Sequence, residues 1–200
     1  MDGVEDAQDT VVRLETLDQK HLPQVADLFR EAFANKRCCG VFAVAESVAG
    51  MQKRYASYSA EKFQLGVVAL RGDEVLGFCQ MTTRKLPMYP SGAHHCEAGE
   101  MYIETIAVSD RARGQGIGGK LLRWSEEKAR AEHMKKLTLE VFQGNRAIGL
   151  YERFGFKIVP PDGDCVDACC ENVTVCCFFG RPYGWCHPKW GTHIMIKHLE

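Results

Sequence analysis

The chain has 200 residues, 46 % apolar, 10 % aromatic and 26 % charged, which supplies a core and excludes a wholly disordered chain. Its 25 Lys and Arg against 26 Asp and Glu leave a net charge of −1, so no global basic excess points to nucleic acid or an anionic membrane. No apolar run approaches the roughly 18–20 residues that cross a bilayer, and the acidic opening Met-Asp-Gly-Val-Glu-Asp lacks the layout of an export signal.

Residues 1–10 carry four acids and read as a frayed tail. Val11 to Leu14 is a short strand candidate. Leu22, Val25, Leu28, Phe29, Ala32 and Phe33 recur at three- and four-residue spacings, one face of a helix. Pro23 is tolerated only in a first turn, so that helix begins near His21. A second helical stretch is expected within Val44 to Tyr58. Leu65–Leu70 and Glu74–Thr83 read as two strands closed by Arg71-Gly72-Asp73, a hairpin. Leu86 to Gly99, with two Pro and two Gly, reads as a loop.

Met101–Val108 is a strong strand candidate, and Ser109–Gly119 a basic, glycine-rich turn. A helix over Gly118–Met134 places Leu121, Leu122, Ser125 and Ala129 on one face. A strand at Leu137–Phe142, a helix at Asn145–Phe154, a strand at Phe156–Val159 and a last strand at His193–Leu199 complete the order. Alternating strands and helices after a hairpin imply an α/β fold: a mixed, partly parallel central sheet with flanking helices. The expected organisation is one domain over 11–200 after the tail, with a cysteine-rich insertion at about 160–192.

The string Arg113-Gly114-Gln115-Gly116-Ile117-Gly118-Gly119-Lys120 satisfies three phosphate-binding patterns. A phosphate loop of the form G-x-x-x-x-G-K-[ST] fits Gly114, Gly119 and Lys120, but needs a magnesium-binding hydroxyl where Leu121 stands. The dinucleotide fingerprint G-x-G-x-x-G fits Gly114, Gly116 and Gly119, with Glu140 about 20 residues on. It wants a tight strand-to-glycine turn, and here the strand ends near Val108. The pattern R-x-x-G-x-G fits Arg113, Gly116 and Gly118 and agrees with the strand before it and the helix after it. In each case glycine lets the backbone approach an anion at a helix N-terminus. Lys120 and Arg123 would add charge, and residues 111–136 hold eight Lys or Arg against three Glu. A plain solvated helix face after a turn is the bland alternative.

Met101-Tyr-Ile-Glu-Thr-Ile-Ala-Val-Ser-Asp-Arg-Ala-Arg-Gly-Gln-Gly-Ile-Gly-Gly-Lys-Leu-Leu122 resembles the acetyl-CoA-binding segment of the GNAT N-acetyltransferase superfamily. Ala147-Ile-Gly-Leu-Tyr-Glu-Arg-Phe-Gly-Phe156 resembles its next segment, A-x-x-L-Y-x-x-x-G-F, in the expected order. The family usually carries Asn three residues before that Ala. Gly144 stands there and Asn145 follows, so the resemblance to a cofactor-contacting Asn is shifted by one position.

The resemblance implies an acyl-CoA N-acyltransferase fold whose acetyl-CoA-binding groups are Ile106, Ala107, Val108 and residues 113–120, with Asn145 as a further candidate. Ile106 and Val108 would bind the pantetheine arm through their backbone, and an amide at Ile106 or Ala107 would polarise the thioester. Glu104, an acid in an apolar strand, is the candidate base for the acceptor ammonium, with a solvated or ion-paired Glu as the structural alternative. Glu100 is a weaker candidate. Tyr151 is the candidate acid for the leaving thiolate, with core packing as its alternative. The expected activity is acetyl transfer from acetyl-CoA to a primary amine, of a small molecule or a peptide, by direct attack in a ternary complex. A covalent cysteine route competes, with Cys79 more simply a small buried hydrophobe. A non-catalytic CoA-binding module or cysteine-based redox or metal sensor is the alternative function.

Ten cysteines without an export signal favour a reducing, cytoplasmic compartment and free thiols. Six fall late, at 165, 169, 170, 176, 177 and 186, and Cys165-x-x-x-Cys169 has no well-spaced second pair, so no metal is expected. Tyr183, Trp185 and Trp190 in the same stretch could wall an acceptor site or cover the sheet. No nucleic-acid or membrane partner is expected.

Overall fold

The computed structural model describes residues 11–32, 37–38, 42–43, 48–83, 96–142, 144–159 and 192–199. In chain order these form β1 (Arg13–Thr16), α1 (Leu22–Ala32), β2 (Arg37–Cys38), β3 (Phe42–Ala43), α2 (Val48–Ala56) and α3 (Ala60–Gln64). There follow β4 (Gly66–Arg71), β5 (Glu74–Thr83), β6 (Glu100–Val108), α4 (Ile117–Ala131), β7 (Lys136–Phe142), α5 (Ile148–Arg153), β8 (Lys157–Ile158) and β9 (Thr192–His198).

Most sequence boundaries shift by one to three residues. The first strand sits two residues later than expected, because Arg13 to Thr16 pair with Leu70 to Val67. The helix expected from Asn145 begins at Ile148, since Asn145 and Ala147 form the turn that starts it. The turn expected over 109–119 is tighter: Asp110–Ala112 already make a 3-10 turn, and α4 starts at Ile117. Five-residue α3 had no periodic signal, being too short to show one. The late cysteines and residues 160–191 lie outside the described residues, as do 84–95 of the expected loop and 44–47 of the second helical stretch.

One seven-stranded sheet runs in the order β1-β4-β5-β6-β7-β9-β8. Among the described strands only β6 and β7 pair in parallel; every other described pair is antiparallel. The sheet is therefore mixed, as the hairpin implied, with a crossover through α4 joining the parallel pair. Side chains alternate between faces along each strand. Val67, Ala69, Cys79, Met81, Met101, Ile103, Leu137 and Leu139 meet Leu121, Leu122, Ala129 and Tyr151 from α4 and α5. The other face sets Val68, Leu70, Phe78 and Ala107 against Val25, Ala26, Leu28, Met51 and Tyr55 from α1 and α2. Covered on both faces, β5 is buried from Val75 to Thr83, which is why it reads as a nearly unbroken apolar run.

Candidate active site

Pairing between β6 and β7 covers only Glu100–Ile103 against Lys136–Leu139. Beyond that point β6 stays on β5 as far as Val108, while β7 stays on β9 as far as Phe142. The two halves of the sheet therefore part at Ile103 and Leu139, leaving a wedge between their neighbouring edges. Glu104 stands at the point of parting. Gln80 pairs with Thr105 and Met81 with Ile103, so Glu104 is the extra residue of a β-bulge. Such a bulge bends its strand and sharpens the local twist, which turns β6 away from β7.

Ladder alternation then decides which backbone groups face the wedge. Ser109 N–H donates to the Leu76 carbonyl at 2.9 Å, so Ser109, Ala107 and Thr105 are the residues that exchange bonds with β5. Ile106 and Val108, opposite Cys79 and Gly77, turn their N–H and C=O groups to the other side, into the wedge. Ala107 directs its backbone at β5 and its side chain into the α1–α2 core.

At the wide end of β6 the chain turns into α4. Ser109 Oγ and Asp110 N–H both donate to the Glu31 carboxylate, the latter at 2.7 Å, tying the turn to the end of α1. Gly114 and Gly116 hold φ of +78° and +77°, and Gly116 is the N-cap of α4 with no side-chain cap. A Cβ at either would meet nothing within 4 Å. The first amides of a fifteen-residue helix thus face open space beside two glycines, an arrangement suited to a phosphate. The side chains of the loop are engaged elsewhere. Arg113 pairs with Asp110 at 2.5 Å, Arg111 with Glu74, and Gln115 accepts from Arg71. Lys120 Nζ donates to the Val12 carbonyl at 3.1 Å, and Arg123 stacks over Phe154. Gly118 and Gly119 face α5 instead: their Cβ positions lie 3.1 Å from Leu150 and 3.4 Å from Phe154, while buried Ile117 packs in the core.

This division of labour leaves the backbone, more than the arginine, open to meet an anion. Gly116→Val places a β-branched residue at positive φ, a strain of about 1–3 kcal/mol, and fills the open space. Acetyl-CoA affinity measured by calorimetry on the folded variant is expected to fall by at least about tenfold, equivalent to about 1.4 kcal/mol. Arg113→Ala, which removes an exposed paired guanidinium, is expected to cost less. Undiminished binding in both variants would remove this turn from the cofactor site.

Glu104 lies at the mouth of the wedge, its side chain 16 % exposed, with Oε2 2.6 Å from Lys62 Nζ. Glu100 is fully engaged in the structure: it accepts from Thr138 Oγ1, from Glu97 N–H and from Lys136. Tyr151 is 6 % exposed and stands edge-on to Phe156. Burial, and secondarily Cys79, push its phenol well above the ordinary tyrosine range, so it stays protonated. No described residue hydrogen-bonds its hydroxyl. Cys79 is fully buried against Ser125, and burial pushes its thiol up to about 12; it is a poor source of thiolate. Asn145 accepts the Ala147 N–H at 2.9 Å and so starts α5.

Sequence reasoning missed Lys62, which lies 42 residues before Glu104 on the short α3. It also missed Glu31, whose acid on the last turn of α1 carries no local signal of its tie to Ser109. Glu140 was read only as a possible dinucleotide acid. It is half-buried on β7, one residue past the last pairing with β6, and acts on the Tyr102 phenol, which burial first and Glu140 next raise. Among the described residues it has no ion-pair partner. The position of an acid just where two parallel strands part is legible only once the register is known.

An open β-edge can pair with a chain bearing amides, and the uncapped helix amides beyond it can meet phosphates. The acetyltransferase (GNAT) family model matches residues 22–156. The chain belongs to that family. An acetyltransferase of Agrobacterium fabrum, Atu2258, is 36 % identical over 62 residues, which are 31 % of this chain and 44 % of that protein; the match spans less than half of the relative's length. The fold is that of the ribosomal-protein-S18-alanine N-acetyltransferase of Escherichia coli, with a TM-score of 0.61 and 19 % identity over 95 % of each chain. It is shared by the PaiA N-acetyltransferase of Thermoplasma acidophilum solved with coenzyme A, with a TM-score of 0.57 and 16 % identity over 94 % of this chain and 99 % of that one.

Proposed function

We propose that the protein transfers the acetyl group of acetyl-CoA to a primary amine, by direct attack in a ternary complex. The observation that carries this reading is the wedge between β6 and β7, open on the Ile106 and Val108 backbone and leading to the glycine turn at α4. The pantetheine arm would hydrogen-bond Ile106 and Val108, its pyrophosphate would lie on the amides of Gly114 to Gly119, and Ile106 N–H would polarise the thioester carbonyl. Room for the pyrophosphate is supported at Gly114 and Gly116, where a Cβ would meet no described residue within 4 Å.

Glu104 would take the proton of the acceptor ammonium through water. The neutral amine attacks the carbonyl carbon, a C–N bond forms and the C–S bond breaks. The thiolate leaves towards Tyr151, whose phenol stays protonated and can donate to it, and the second proton shed by the acylated nitrogen replaces the one the phenol gives, so that free thiol and a neutral amide result. The raised Cys79 thiol supports direct attack over a cysteine intermediate. Pairing of β9 with β7 and β8 brings the end of the chain into the same sheet, which supports one domain over 11–200. The buried Cys79 is a free thiol, in keeping with a reducing, cytoplasmic setting.

Release of free thiol from acetyl-CoA should depend on an added amine when small amines and peptides are screened, with the acetylated amine identified by mass. Binding of acetyl-CoA without turnover for any amine would instead favour a CoA-binding module.

A further inference from the structure

We propose that Lys62 is a positioning residue for the transfer, pairing with the Glu104 carboxylate and aiming it at the mouth of the wedge; this rests on the reading of Glu104 as the base. Lys62 stands on α3 with its side chain only 7 % exposed. Its ammonium touches three things: Glu104 Oε2 at 2.6 Å, the Met81 carbonyl at 3.3 Å, and the face of Tyr58 at 5.3 Å from the ring centre. Met81 and Glu104 lie on the two strands of the bulge, where the register between β5 and β6 shifts at Gln80/Met81. A single ammonium thus bridges β5 and β6 at the irregularity that opens the wedge.

Burying a lysine is costly, and an apolar residue of the same length would pack the site at lower cost. Burial depresses the Lys62 ammonium below the ordinary lysine range, and Glu104 opposes that shift. Without the lysine the carboxylate would lose both the opposite charge and the hydrogen bond that hold it at the bulge. The other ionisable groups acting on this pair are Arg54 from α2, Cys79 from β5, Cys96 before β6 and Tyr102 on β6. Among the groups acting on Lys62, only Arg54 is a second cation.

The test compares pH–rate profiles of kcat for the wild-type chain, Lys62→Met, Lys62→Gln, Lys62→Arg and Glu104→Gln. One acceptor amine is used throughout, so its own titration is common to all. For both neutral variants we expect kcat near neutral pH to fall at least about tenfold and the acid limb to move up by about 1–3 pH units, the usual effect of losing an opposite charge. The rate should recover on the alkaline plateau, with acetyl-CoA affinity unchanged. Lys62→Arg should keep the wild-type limb. A folded neutral variant with an unmoved acid limb overturns the proposal, whether its rate is normal or uniformly reduced. If neither neutral variant folds, a displaced limb in Lys62→Arg overturns it and a retained limb supports it. Normal turnover by Glu104→Gln would remove the base itself and this role with it. A slow Glu104→Gln beside a neutral Lys62 variant of wild-type profile would remove the role of Lys62 alone.

Discussion

Glu104→Gln is expected to slow acetyl transfer by about 10²–10⁴ near neutral pH, the usual contribution of a general base. The amide keeps the shape and can still accept from Lys62, so acetyl-CoA affinity should hardly change. The substitution also leaves the Lys62 ammonium without its counter-charge, and breaking a buried pair destabilises in its own right. The double variant Lys62→Met/Glu104→Gln separates the two effects. Removing both charges should restore much of the lost stability while leaving turnover slow. Recovery of turnover together with stability would mean that Glu104 acts through packing alone. Glu140→Gln is the companion measurement, because that acid faces the same parting of strands from β7. Should Glu140→Gln show the large loss and Glu104→Gln none, the proton acceptor stands on β7.

Tyr151→Phe is expected to lower turnover while leaving acetyl-CoA affinity nearly unchanged. The ring and its edge-on contact with Phe156 remain, so the α5–sheet packing should survive. Only the hydroxyl is lost, and the role proposed for it, donation to the departing thiolate, belongs to the transition state. The deficit should shrink with an acyl donor whose thiol is more acidic, since that thiolate leaves with less help. Because burial holds the phenol above its ordinary range, the wild-type profile should show no early alkaline loss from Tyr151. A deficit of equal size with both donors would mark displaced packing. No deficit with either would leave Tyr151 as a core residue of α5.

Much of the site can be read along the chain, where the chemistry is local. The glycine string at 113–120 lies within eight residues, and its placement between an apolar strand and an amphipathic helix follows from side-chain periodicity. The uncapped start of α4 is a property of those few residues. The same holds for β5, whose apolar run announces burial on both faces, and for the hairpin that closes on Gly72 and Asp73. Tyr151, four residues before Gly155, sits where the helix period turns it onto the sheet.

What the chain by itself could not show is where two edges part. The wedge exists because β6 keeps its bonds to β5 and β7 keeps its bonds to β9, and each choice pairs segments far apart in sequence. The bulge that makes Glu104 an extra residue is a relation between two strands, and no composition or spacing within Met101–Val108 reveals it. Glu31 meets Ser109 across 78 residues and Lys62 meets Glu104 across 42. An acid and a lysine on separate helices and strands are ordinary surface residues until tertiary packing removes the water between them. Only the folded sheet, by stacking α3 against the bulge, turns those two charges into a buried pair.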